Sequence, residues 1–159
     1  MKSIIKQFGF LTLLVSCFLS CSKSGSDGQA QLPPPPPPSE KTLLLTKAPW
    51  QVDNEGIDMN LDGVIDIQDQ RMGKPCNTDD IWDFKVSGLS FNEGPLKCDP
   101  EAPQTITMVW HFVDNEKSIY IDAFNKNAKI YKLTDTQFQV YTEDVSAGAT
   151  IWRFSEYKR

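Results

Sequence analysis

Between Asp58 and Asp69 the chain reads Asp-Met-Asn-Leu-Asp-Gly-Val-Ile-Asp-Ile-Gln-Asp. Oxygen-bearing side chains fall at positions 1, 3, 5, 9 and 12 of this twelve-residue stretch, with glycine at position 6 and an apolar residue at position 8. At that spacing alternate residues turn carboxylate and amide oxygens inward, Gly63 permits a sharp turn, and the Val64 carbonyl adds another oxygen. A hard cation takes about six to eight oxygens, most of which this loop can offer. The expected ion is Ca²⁺, held by Asp58, Asn60, Asp62, Val64, Asp66 and Asp69, and its expected role is to order a long connection between strands. Asp69 is shorter than the glutamate usual at position 12, and a strand-like segment precedes the loop, so no helix-flanked hand is expected. The competing reading is a surface turn rich in Asx and Gly.

Other reactive groups are few. Cys76 and Cys98 sit at predicted strand ends that a hairpin would bring together, so a disulfide is expected, closing a loop of roughly 20 residues. A redox or metal pair would need Cys-x-x-Cys spacing or a nearby histidine, and the sequence has neither. The single histidine, His111, excludes multi-histidine metal sites and is expected to point outward. Asp79-Asp80 and Glu143-Asp144 are adjacent pairs, and neighbours on a strand face opposite ways, so both read as solvated turns. No nucleophile motif is present, and the chain is not expected to be an enzyme.

The first residues carry Lys2 and Lys6, then an apolar run from Phe8 to Leu19. A spanning helix needs about 20 apolar residues, so this run reads as a secretory leader, residues 1–20. Leu14-Val15-Ser16-Cys17 and Phe18-Leu19-Ser20-Cys21 both resemble the bacterial lipobox. Cys21 is the preferred lipid acceptor, because the chain turns polar immediately after it; Cys17 is the alternative. The expected location is the cell envelope, at the outer membrane, held by acyl chains. That compartment is oxidising, which permits the disulfide.

Residues 21–41 contain serine, glycine, glutamine and six successive prolines, Pro33 to Pro38. With no apolar periodicity they cannot build a core, and polyproline II makes them a stiff tether. The formal charge is −5, and losing Lys2 and Lys6 with the leader makes it −7. An acidic domain disfavours nucleic acid and adhesion to anionic lipid, leaving the N-terminal lipid as the expected membrane contact.

Residues 42–159 suffice for one core. Ser39 is placed to cap a short helical turn over Leu43 to Leu45. Beyond it, Ile106, Met108, Trp110 and Phe112 alternate with Thr105, Thr107, Val109 and His111, and Trp82, Phe84 and Val86 alternate likewise. Further strands are expected at 50–55, 89–92, 118–122, 129–133, 137–142 and 150–156, separated by turn residues such as Asp114-Asn115 and Ala147-Gly148. Eight short strands, each with one apolar face, point to an all-β fold: an eight-stranded up-and-down antiparallel barrel, with a β-sandwich as the alternative.

The order of Trp50, the Asp-x-Asn-x-Asp-Gly loop, Cys76-Asn77-Thr78-Asp79-Asp80-Ile81-Trp82-Asp83-Phe84, Lys97-Cys98-Asp99-Pro100 and Leu133-Thr134-Asp135 resembles the lipocalin-like domain of anchored lipoproteins from Gram-negative bacteria. The resemblance implies an eight-stranded barrel whose last strand closes on its first. Ala48-Pro49-Trp50 stands where true lipocalins open with Gly-x-Trp. The resemblance also implies a basic residue near the C terminus covering that tryptophan, for which Arg153 is the candidate.

Three roles are compatible with these features. One is a carrier of a small hydrophobic ligand in a cavity lined by Trp82, Phe84, Met108, Trp110 and Phe112. Another is a filled barrel acting as an interaction module for a protein partner. The last is an accessory subunit of a glycan- or nutrient-uptake complex. A cavity above roughly 300 Å³ favours the first.

Overall fold

The computed structural model describes residues 34–122 and 125–159. Cys17, Cys21, the leader and most of the tether lie outside the described residues, and Pro34 to Pro38 are exposed without regular structure. The fold belongs to the unit Pro36–Arg159. Among the described residues no helix is long and apolar enough to cross a membrane.

A short helix, α1 (Glu40–Thr46), opens the fold. Ser39 caps it as its sequence position suggests, its hydroxyl accepting from the Thr42 N–H at 3.1 Å. Strands follow: β1 (Trp50–Asp58), β2 (Ile67–Gln68), β3 (Ile81–Lys85), β4 (Gly88–Asn92), β5 (Thr105–Met108), β6 (Trp110–Val113), β7 (Ser118–Ile121), β8 (Lys126–Leu133), β9 (Gln137–Ser146) and β10 (Ala149–Lys158). Between β2 and β3 lie a 3₁₀ turn (Gln70–Gly73) and the single-turn helix α2 (Pro75–Thr78).

All pairings are antiparallel, and the sheet runs β5-β4-β3-β1-β10-β9-β8-β7-β6, with β2 on the free edge of β1. The two ends of that order, β5 and β6, are one strand interrupted at Val109. Its first half pairs with β4 and its second with β7. The result is a nearly closed barrel of eight up-and-down staves, with β10 closing on β1 over Gln51↔Lys158 to Asp58↔Trp152. Closure leaves few unpaired backbone groups, which is why short, half-apolar strands suffice.

The interior is divided. At the end covered by α1, Leu45, Trp50, Phe84, Leu89, Ile119 and Phe138 are buried with at most 1% exposure. The rings meet edge-on or tilted: Phe84 lies 5.5 Å from Trp110 and 5.9 Å from Phe138, and Trp50 lies 5.7 Å from Phe138. These are the offset geometries that aromatic quadrupoles favour.

Trp50 is the keystone of this end. Its indole N–H donates to the Leu45 carbonyl at 2.9 Å, and the Arg159 guanidinium lies over its ring at 3.6 Å. Arg159 also donates to the carbonyls of Leu44 (2.8 Å), Leu45 (3.0 Å) and Ala48 (3.0 Å), so one side chain ties off the end of α1 and covers the tryptophan. Arg153, the candidate from sequence, does not cover Trp50. Register explains the difference: Lys158 pairs with Gln51, bringing Arg159 level with Trp50, whereas Arg153 pairs with Ile57 toward the opposite end. Arg153 instead bonds Asp144 at 2.7 Å.

Candidate functional site

The end away from α1 is open and holds a cavity of about 670 Å³. Its walls come from β1, β3, β4, β8, β9 and β10 and from the segment carrying the 3₁₀ turn and α2. Strand alternation decides which side chains face it. On β3 and its lead-in, Asp80 shares a face with Trp82; on β4 and its extension, Phe91 shares a face with Glu93; on β10, Ser155 shares a face with Tyr157. On β1 the alternation breaks, because Asp53 is an extra residue in the β1–β10 ladder. This bulge puts Glu55 opposite Ser155 and Val52 opposite Tyr157, so both face inward.

The site therefore has two layers. Its floor is aromatic: Trp82 stands edge-on to Phe91 at 5.1 Å and to Tyr157 at 5.8 Å. Val52, Ala128 and Val140 complete the apolar wall. Above the floor lie Glu55, Asp80 and Glu93, with a fourth carboxylate, Asp69, beside Arg71. Arg71 bonds Glu55 and Asp69, each at 3.1 Å. Burial pushes the Glu55 carboxyl up, against the pull of Arg71. Asp80 is pushed up to about 6, first by burial and then by the charges of Asp79, Glu93 and Glu55, with only the Gly94 N–H bonding it in opposition. Burial also raises the Tyr157 phenol, which stays neutral.

The rim is pinned. The Cys76–Cys98 disulfide joins α2 to the β4–β5 connection, with Cα atoms 5.2 Å apart. Gly94 backs so closely onto Asp79 that a Cβ would collide with its carboxylate and carbonyl. Asp79 Oδ2 accepts from the Leu96 N–H at 2.9 Å. The pair Asp79-Asp80 is thus no solvated turn: Asp79 locks the rim to the β4–β5 connection while Asp80 lines the cavity. The period-two step from Asp80 to Trp82 was the signal that could have found it.

A pH effect follows from Asp80. Its folded-state pKa lies above that of an unfolded aspartate, so its contribution to stability is present at low pH and is lost as pH rises through about 6. Asp80→Asn is expected to raise Tm at pH 8, with the gain shrinking toward pH 5. Parallel thermal melts of the two proteins across that range check this. An equal or lower Tm for the variant at pH 8 would contradict the cluster's electrostatics.

Of the five residues expected to line a cavity, Trp82 does so. Phe84 and Met108 are buried in the core, and Trp110 and Phe112 pack against it. The Trp110 indole N–H reaches the Lys85 carbonyl at 2.8 Å and the Gly88 carbonyl at 3.1 Å, tying the strand break at Val109 to the β3–β4 turn. His111 is exposed, its ring 5.0 Å from that of Tyr120.

The acidic loop touches the cavity only through its last residue, Asp69. Asp58 is fully buried, and its two carboxylate oxygens accept from the N–H groups of Leu61 (2.6 Å), Asp62 (3.3 Å) and Gly63 (2.7 Å). Asn60 accepts from the Asp62 N–H, Asp62 from the Val64 N–H, and Asp66 from the Met59 N–H. Leu61 and Gly63 are both left-handed, at φ 64° and 87°. Asp69 turns elsewhere, capping the 3₁₀ turn through the Arg71 N–H at 2.8 Å. Among the described residues no group of three or more His, Cys, Asp or Glu side chains is disposed to hold a metal ion. The loop is clasped to the barrel by Tyr131, whose hydroxyl donates to the Asp62 carbonyl at 3.1 Å. Beneath it Tyr131, Trp152 and Phe154 form an outer aromatic cluster, with Tyr131 and Phe154 centroids 5.3 Å apart. Compared with known proteins, the chain matches no family model and no curated protein.

Proposed function

We propose that this protein is a binding module held at a bacterial cell envelope by a lipid on Cys21, with Cys17 as the alternative acceptor, and that its barrel takes a small molecule into its open half. The observation that carries this reading is the half-filled interior. One end is packed by aromatic and aliphatic side chains, while the other keeps about 670 Å³ within a disulfide-pinned rim. Small-molecule sites occupy about 300–1,000 Å³, with apolar walls and a few convergent polar groups. The likeness to lipocalin-like domains is supported by the β10–β1 closure and by the Arg159 cover on Trp50. Under this reading the proline-rich segment is a spacer that lets the barrel's mouth reach a ligand or hand one to a neighbouring complex.

The test is uptake of a neutral fluorescent probe. N-phenyl-1-naphthylamine is expected to bind saturably, with a blue-shifted emission, and to quench Trp82. Emission that stays at its value in water would refute the reading.

Calcium at the outer loop is the second part of the proposal. It is supported by the left-handed Leu61 and Gly63 and by the Gly63 N–H bonded to Asp58, which hold the backbone in the turn that the oxygen spacing requires. The hard-oxygen donors Asn60, Asp62 and Asp66 would hold the ion, and the Val64 carbonyl would join them. Its role is to order the loop over Tyr131. Millimolar Ca²⁺ is expected to raise Tm and EDTA to lower it, as read by differential scanning fluorimetry. The absence of any shift with either would remove the site.

A further inference from the structure

We infer that the cavity selects a primary organic ammonium with a flat or aromatic body, and this rests on the cavity being a binding site. The floor presents the rings of Trp82, Phe91 and Tyr157, and the layer above presents Glu55, Asp80 and Glu93. Two of these carboxylates have no cation of their own. Among the described residues no lysine or arginine pairs with Asp80 or Glu93.

Among the described residues three cations line the cavity, and none of them pairs with Asp80 or Glu93. Arg71 holds Asp69 and Glu55, Arg153 holds Asp144, and Lys126 is exposed at the rim. Glu93 Oε2 is buried and accepts no hydrogen bond from the protein. A buried carboxylate oxygen without a donor is costly unless something supplies one. An ammonium brings three N–H donors and a compensating charge, while its apolar body lies on the aromatic floor. An anionic ligand placed against Asp80 and Glu93 would instead face two carboxylates that no cation among the described residues pairs with. The raised Asp80 carboxyl belongs to the same picture: burial raises it first, and the added repulsion from Asp79, Glu93 and Glu55 is what a bound cation relieves.

The test uses three probes that share one indole body: tryptamine, tryptophol and indole-3-acetate, each displacing N-phenyl-1-naphthylamine from the full-length protein. At pH 7.5 tryptamine is expected to bind roughly tenfold tighter than tryptophol, the worth of about one charge-assisted hydrogen bond. Indole-3-acetate is expected to be the weakest of the three. Glu93→Gln and Asp80→Asn should each narrow the tryptamine-to-tryptophol ratio, and titration to pH 5 should narrow it in the wild type as Asp80 takes up a proton. The charges facing Asp80 are those of Asp79, Glu93 and Glu55, with Arg71 beyond Glu55.

Indole-3-acetate or tryptophol binding as tightly as tryptamine would overturn the ammonium assignment while leaving the cavity reading intact. Ratios unchanged in both variants would overturn the role of these carboxylates. If the naphthylamine probe does not bind at all, the cavity reading falls and this inference falls with it.

Discussion

Trp50→Ala is expected to cost about 3–5 kcal/mol, the range for truncating a fully buried large aromatic side chain. Domains of this size have a total stability of about 5–15 kcal/mol, so the variant sits near its unfolding threshold at 37 °C. Three losses combine. The cavity left beside Phe138 and Phe84 cannot collapse, because those rings are held by their own neighbours. The Leu45 carbonyl loses the indole donor, and Arg159 loses the face it covers. Urea unfolding followed by circular dichroism reads the difference. Trp50→Phe keeps most of the volume but not the N–H, and should fall between the two. A cost below about 1 kcal/mol for the alanine variant would mean that the closed end is not what holds the barrel together.

Replacing Cys76 and Cys98 together by serine is expected to cost roughly 3 kcal/mol, from the loop entropy of a 22-residue separation. For a domain of this length that corresponds to a fall in Tm of roughly 10–15 °C. The loss should be localised. The disulfide joins α2 to the β4–β5 connection, so amides around Asn77 and Leu96 should exchange faster with solvent while those around Trp50 and Phe138 keep their protection. Hydrogen exchange with mass spectrometry distinguishes this from general loosening. Because Arg71, Met72 and Asn77 line the cavity beside this staple, the serine variant should also weaken probe uptake. An unchanged Tm would show that the rim is fixed by Gly94, Asp79 and their hydrogen bonds without the covalent link.

The staves were legible because apolar alternation has a period of two and turn residues interrupt it. Ile106, Met108, Trp110 and Phe112 announce a strand, Asp114-Asn115 announce its end, and Ala147-Gly148 announce the turn between β9 and β10. The structure gives all four of those turn residues positive φ. The disulfide was legible because, with Cys17 in the expected leader and Cys21 given to the expected lipid, only Cys76 and Cys98 remain, and both stand beside predicted strands.

The division of the interior was not legible. Trp82 and Phe84 look alike in the sequence, yet one lines a cavity and the other is packed solid, since that depends on which end of the barrel each level occupies. The inward Glu55 was hidden by the bulge at Asp53, which reverses the face of every residue after it. Arg159 was missed as the cover for Trp50 because the choice rests on the register of β10 against β1, a long-range property.

The most direct test of the half-filled barrel is a plug. Ala128 lines the cavity from β8, and Ala128→Trp would place an indole in the open half. The expected result is that the wild-type protein takes up N-phenyl-1-naphthylamine saturably, while the plugged protein folds with an equal or higher Tm and takes up none. Equal uptake by the two proteins would place the probe elsewhere and contradict a ligand cavity within this barrel.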